Sequence, residues 1–261
     1  MTEFKTIKLE ISDRIATITF NRPEAANGLN LAMASEFADA AMLCDANSDV
    51  KAIILTGSGR FFCAGGDINA MQASPLGAGP GVKQIADQLH RGISTLARSA
   101  KPVIVAVNGT AAGAGFSTAV MGDLVVAAES AKFTMAYSNV GLSPDGSASY
   151  FLPRLIGLRK TQELMFTNRM LTAEEAQQWG LINRVVPDAE LMTVAREWAA
   201  LFVAGSQRSN GAIKTLLLAS DANGLETQME LESQMIARNA SSPDGKEGVA
   251  AFIAKRKPEF S

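Results

Sequence analysis

Cysteine and histidine are nearly absent: 261 residues contain two cysteines, Cys44 and Cys63, and one histidine, His90. Two cysteines cannot build a disulfide framework, and with a single histidine they make no ligand set at zinc-site spacing, which argues against metal chemistry through nitrogen or sulfur. No stretch reaches the ~18 apolar residues of a membrane span. Met1 to Glu10 alternates charged with apolar residues instead of running apolar as a signal peptide does. A cytoplasmic protein with no membrane partner is the expectation. Neither sign of charge is in excess, since 24 Lys and Arg face 26 Asp and Glu for a net charge of −2. There is thus no general electrostatic footprint for nucleic acid. Long polar and low-complexity tracts are missing too. With 47% hydrophobic and 19% charged residues, disordered, fibrous and collagen-like classes are excluded, leaving a globular composition. A chain of this length buries roughly 70–75% of its unfolded surface, as one large α/β domain or two small ones.

What is there is an alternation of strands and helices. Ile7 to Ile11 and Ile15 to Phe20 alternate apolar and polar residues around Ser12-Asp13-Arg14, which predicts a hairpin with a polar turn ended by Asn21-Arg22-Pro23. Leu31 to Cys44 has helical spacing, while Ala52 to Thr56 and Val103 to Val107 read as buried strands, each running into a glycine-bearing turn. Such an order suits right-handed βαβ crossovers. Met71 to Gly81, rich in Gly, Pro, Ala and Ser, is expected to be mobile, ahead of a helix containing His90. Beyond Pro153 the pattern is helical over 159–167, 172–179, 191–204, 210–218, 225–239 and 244–255, with one strand at 182–186. Thr172 with Glu175 has capping-box spacing. The division expected is a core over 1–200 and a helical tail over 201–261, although no linker composition separates them.

Two glycine-bearing loops follow strands: Phe62-Cys63-Ala64-Gly65-Gly66-Asp67, and Asn108-Gly109-Thr110-Ala111-Ala112-Gly113-Ala114-Gly115 leading into a helix at Phe116 to Met121. Small residues let a ligand approach the backbone, and amides at a helix N-terminus suit a carbonyl oxygen that becomes an enolate. Tight turns and close helix packing explain the same glycines. Neither loop has the pattern of a phosphate cradle.

Both loops, together with Val140-Gly141-Leu142-Ser143-Pro144-Asp145-Gly146, resemble the crotonase, or enoyl-CoA hydratase/isomerase, superfamily. The resemblance extends through Asn21-Arg22-Pro23, Asn27-Gly28-Leu29-Asn30, Ala131-Lys132-Phe133, Leu171 to Ala176, Trp179-Gly180-Leu181 and Phe252 to Arg256, nearly the whole chain. It implies an α/β fold, a crotonase (ClpP-like) superhelix of ββα repeats with a C-terminal helical trimerisation region, often as a dimer of trimers. It also implies a site for an acyl-CoA thioester. Carried over by position, the amides of Gly66 and Ala114 form the oxyanion hole and Ala64 lines the path of the coenzyme. Coenzyme A is then part of the substrate, with no tightly bound cofactor and no metal.

The chain departs from the hydratase pattern where the reaction is decided. Hydratases of this family carry glutamates at two positions occupied here by Ser117 and Tyr137. A serine or an unperturbed tyrosine is a poor acid or base near neutral pH, which puts hydration in doubt. Asp145 is the carboxylate the resemblance places against the reacting carbons, and one base suffices to move a double bond. The segments around it are most similar to the phenylacetate-pathway isomerase branch, which acts on ring-epoxide and 3-enoyl thioesters. An ordinary Pro-Asp-Gly turn is the plain alternative for Asp145. His90 with an aspartate at 145 also resembles the dehalogenases of 4-chlorobenzoyl-CoA, where the aspartate attacks and the histidine activates water; a helix histidine without a role fits equally. Lys255 and Arg256, with Lys257, could meet coenzyme A phosphates or simply end a solvated helix. An atypical hydratase and a non-catalytic acyl-CoA or nucleic-acid scaffold complete the alternatives.

Overall fold

The computed structural model describes residues 4–260. In chain order its strands are β1 (Ile7–Ser12), β2 (Ile15–Phe20), β3 (Ala52–Gly57), β4 (Phe61–Cys63), β5 (Val103–Val107), β6 (Thr110–Ala112), β7 (Leu124–Ala128), β8 (Lys132–Thr134), β9 (Leu171–Thr172) and β10 (Arg184–Val186). The helices are α1 (Leu31–Ala46), α2 (Ile68–Gln72), α3 (Ala78–Arg98), α4 (Ala114–Ala119), α5 (Ala148–Thr167), α6 (Ala173–Gln178), α7 (Leu191–Ala204), α8 (Gln207–Ser220), α9 (Leu225–Ser241) and α10 (Pro243–Ile253).

A six-stranded sheet has the order β1-β2-β3-β5-β7-β10, antiparallel only between β1 and β2. A second, four-stranded sheet has the order β4-β6-β8-β9. Its strands are the returns of the large one: β3, β5 and β7 each turn a corner into β4, β6 and β8. Three successive ββ units stacked in parallel make the spiral. The corners are held by two buried or half-buried amides. Asn27 donates from Nδ2 to the carbonyls of Ser58 and Phe61 at 2.9 and 2.8 Å. Asn108 accepts from Gly57 N–H at 3.0 Å and donates to Gly59 O at 2.9 Å. Buried corner carbonyls without partners would each cost about 1–3 kcal/mol, so these side chains are part of the fold.

The small-sheet strands were not expected from the sequence, nor was β7. Runs of two or three residues are too short for a period to show, and β7 lacks the glycine-bearing turn that follows β3 and β5. Helix α5 begins at Ala148 rather than near Arg159, because Pro153 and Gly157 read as breakers. They do interrupt it: Gly157 has φ +77°, and the chain makes two helical segments that meet there. The capping box at Thr172 forms as expected.

One apolar core lies between the sheets, α1 and α3. Phe20 packs edge-on against Phe37 and Phe62, with ring centroids 5.5 and 5.6 Å apart. Ile85, Leu89, Ile93 and Leu96 of α3 are buried at helical spacing in this core. A second cluster on the far side of the large sheet is closed by Leu191, Val194, Ala195 and Ala199 of α7.

The tail is joined to the core through polar contacts of α8. Lys214 of α8 is buried, donates to the carbonyls of Leu96 and Lys101 at 3.1 and 3.2 Å, and pairs with Asp123. Burial pushes the Asp123 carboxyl upward, against the pull of Lys214 and the Val103 N–H. Helices α9 and α10, by contrast, expose Leu225, Met229, Ile236, Val249, Phe252 and Ile253. Among the described residues no helix is long and apolar enough to cross a membrane.

Candidate active site

Two chain segments meet where β4 and β6 end side by side in the small sheet. After β4 the backbone of Gly66 forms a parallel bridge with Leu29, which donates to Gly65 O at 2.7 Å and accepts from Asp67 N–H at 2.9 Å. After β6, Gly113 caps α4, so that Ala114 is its first residue. The approach is close enough to demand glycine: a Cβ on Gly115 would stand 2.1 Å from Cys63 O. Here the two readings of the loop glycines merge, since close packing is what brings the Gly66 and Ala114 amides to one place. Neither N–H has a protein acceptor among the described residues. Both residues line a cavity of about 290 Å³.

That cavity is lined by Leu29, Ala64, Gly65, Gly66, Ile68, Met71, Val82, Ile85, Ala86, Leu89, Gly113, Ala114, Ala136, Tyr137, Val140, Leu142, Ser143 and Asp145. It is an apolar chamber with a few convergent polar groups, as small-molecule sites are. Among the described residues Asp145 is the only carboxylate that lines it. One wall comes from α3, through Val82, Ile85, Ala86 and Leu89 at i, i+3, i+4, i+7 spacing. Met71 closes the cavity over Gly66, so the 71–81 segment is the end of α2, a turn and the start of α3.

Asp145 sits on a loop with left-handed residues at Gly141, Gly146 and Ser147. A Cβ on Gly146 would lie 2.8 Å from Ser117 Cβ, so this turn requires glycine if the loop is to close on α4. Once closed, four of the side chains singled out from the sequence form one hydrogen-bonded cluster. The Tyr137 hydroxyl lies 2.6 Å from Asp145 Oδ1 and 3.1 Å from Ser117 Oγ. His90 Nε2 lies 3.5 Å from Asp145 Oδ2 and accepts the Gly146 N–H at 3.0 Å. Burial, the Asp145 charge and its hydrogen bond push the Tyr137 phenol well above its ordinary range, so it is a donor and not a base.

The two contacts of His90 ask for opposite protonation states. Gly146 needs the Nε2 lone pair, whereas Asp145 favours a proton there. The Gly146 bond is the shorter, and it places the proton of the neutral ring on Nδ1. Asp145 nonetheless raises the His90 pKa above its ordinary 6.5, overcoming partial burial. His90 also borders a second cavity of about 610 Å³, between α3, α5 and α8. This cavity is the larger, but it does not reach the Gly66 and Ala114 amides.

Within one chain Lys255 and Arg256 are not brought to either cavity. They follow α10, where Arg256 pairs with Glu247 at 2.6 Å. Cys63 is fully buried, and burial pushes its thiol up to about 12, as suits a packing residue beside a tight loop.

The sequence and fold are shared with known proteins. The profile of the enoyl-CoA hydratase/isomerase family matches residues 10–261. The chain is 38% identical to the 1,2-epoxyphenylacetyl-CoA isomerase of Escherichia coli (strain K12), over 100% of this chain and 99% of that protein. It is 33% identical to the 4-chlorobenzoyl coenzyme A dehalogenase-2 of an Arthrobacter species, over 95% of this chain and 91% of the relative. The crystal structure of an enoyl-CoA hydratase from Polaromonas sp. JS666 superposes with a TM-score of 0.93 at 34% identity, covering 98% of this chain and 99% of that one. With a match along nearly its full length and the crotonase fold beneath it, the chain belongs to the enoyl-CoA hydratase/isomerase family.

Proposed function

We propose that this protein is an acyl-CoA isomerase that moves a double bond with Asp145 as its one base. The observation that carries the reading is the position of Asp145. It is the carboxylate of the chamber that holds the Gly66 and Ala114 amides, with one oxygen bonded to Tyr137 and the other free of that bond. In a 3-enoyl thioester, Asp145 takes the proton from C2. The C2–H electrons pass into a dienolate whose oxygen accepts from both amides. Return of the proton to C4 places the double bond between C2 and C3, and the carboxylate is regenerated. Each preorganised amide is worth about 2.7–4 kcal/mol in such a transition state. Coenzyme A serves as the handle of the substrate, and no other cofactor enters these steps.

Hydration fits less well, because it needs a base for water and an acid for Cα, and the two family glutamate positions hold Ser117 and Tyr137. A second reading, hydrolysis of an aryl thioester or halide through Asp145 and His90, is favoured by their 3.5 Å separation. Against it, the Nε2 lone pair that would activate water is engaged by Gly146. The proposal includes a homotrimer or dimer of trimers, supported by the exposed apolar residues of α9 and α10. In that assembly Lys255 and Arg256 of a neighbouring subunit would supply charge to the coenzyme phosphates.

The test is direct. Purified protein with a 3-enoyl-CoA should raise the ultraviolet absorbance of the conjugated 2-enoyl product, and Asp145→Ala should lower the rate by about 10²–10⁴-fold. An inactive wild type, or a fully active variant, overturns the isomerase reading and makes release of the free acid from aryl-CoA thioesters the next assay.

A further inference from the structure

We infer that Ser117 and Tyr137 form a directed donor chain that reserves Oδ1 of Asp145 and leaves Oδ2 as its proton-carrying oxygen. This rests on the isomerase reading and names the positioning residues of the same site. The directions follow from proton counting. A carboxylate only accepts, so the 2.6 Å contact commits the single Tyr137 hydroxyl proton to Asp145 Oδ1. The phenol oxygen can then only accept from Ser117 Oγ at 3.1 Å. Ser117 has one proton and two acceptors in reach, the phenol oxygen and Gly113 O at 3.3 Å, of which the phenol is nearer.

The chain is built into the fold. Ser117 is fully buried on α4, whose first residue is Ala114, and Tyr137 is 9% exposed. The short approach between Gly146 and Ser117 keeps the Asp145 loop seated on the same helix. A charge-assisted bond to one oxygen stops the carboxylate from turning, so the proton taken from C2 resides on Oδ2 and is delivered to C4 from a fixed point. The two departures from the hydratase glutamates are therefore one device: both hydroxyls are spent on orienting the single base, and neither is left to activate water. Tyr137 and Ser117 act through Asp145 and are positioning residues.

The chain has only two tyrosines, Tyr137 and Tyr150, so carbon-13 labelling at Cζ gives two signals that Tyr150→Phe assigns. If the chain exists, Tyr137 ionises at lower pH in Asp145→Asn than in the wild type, because the negative charge that restrains its proton is gone. Tyr137→Phe should lose at least about tenfold in kcat with KM changed by less than about twofold, and Ser117→Ala a smaller factor in the same sense. In the Asp145→Asn background, Tyr137→Phe should cost nothing further. An unchanged Tyr137 titration, or wild-type kcat in Tyr137→Phe, overturns the inference. The titration decides it even where no enoyl thioester is turned over, whereas full activity in Asp145→Ala refutes the isomerase reading instead.

Discussion

At the scale of single residues, His90 is the group whose state changes near neutral pH. Its pKa is raised by the Asp145 hydrogen bond and charge and by Asp87, against partial burial and Lys83. Protonation takes the Nε2 lone pair from Gly146 and turns an N–H toward Asp145 Oδ2, the oxygen assigned to carry the substrate proton. Turnover should therefore fall as pH drops through the His90 pKa, and His90→Gln should lose that dependence in a pH profile of kcat. The stability contribution has the opposite sense. A raised folded-state pKa stabilises the protein fully below the unfolded value of 6.5, and the gain is lost as pH rises through the folded value. Urea midpoints of the wild type and His90→Gln should thus differ most on the acid side and converge on the alkaline side. His90 is about half exposed, so solvent screens the effect and the difference should be small.

At the scale of elements, α8 is held by one buried lysine whose removal takes the cation from a part-exposed carboxylate. Lys214→Ala leaves Asp123 without its partner and the carbonyls of Leu96 and Lys101 without a donor. Breaking a fully buried pair costs about 3–5 kcal/mol; with Asp123 31% exposed and still bonded to the Val103 N–H the loss should be smaller, and equilibrium denaturation should show it. Lys214→Met with Asp123→Asn should recover part of the loss, since no charge is then left without its counter-charge. The loop elements follow a different logic. Their glycines are not loose joints; Gly115 and Gly146 stand where a Cβ would meet Cys63 O and Ser117 Cβ, and the site exists because those approaches are possible. Sequence spacing exposed the glycines but not the approach, which depends on two loops some fifty residues apart lying side by side through the pairing of β4 with β6.

At the scale of the whole molecule, apolar surface gathers on the tail. Phe252 is 84% exposed, Ile253 75% and Ile236 71%, and under the trimer proposal these residues lie in the subunit interface. Light scattering of the wild type should give three or six times the chain mass. Phe252→Asp should shift the population to smaller species without loss of helix signal, because α10 contributes only Ala251 and Asp244 as buried residues. A wild type that is monomeric at micromolar concentration removes the trimer proposal and the supply of Lys255 and Arg256 from a neighbour.

The sequence by itself determined the alternation of strands and helices, the capping box at Thr172, the two glycine loops and the candidate carboxylate, because each is a local pattern or a short motif. The β1–β2 hairpin and α1 were legible from their periods, and β3 and β5 because each apolar run ends in a glycine-bearing turn. Only the tertiary structure decided the second sheet, whose strands of two or three residues are specified by their neighbours and not by their own period. It also decided that Ser117, Tyr137, Asp145 and His90 are one cluster, and in which order. Their bonds span intervals of 20, 8 and 56 residues, with Gly146 on the last, and no periodicity in a single strand or helix reaches that far. Direction within the cluster came from counting protons on atoms held within bonding distance, which requires the distances themselves.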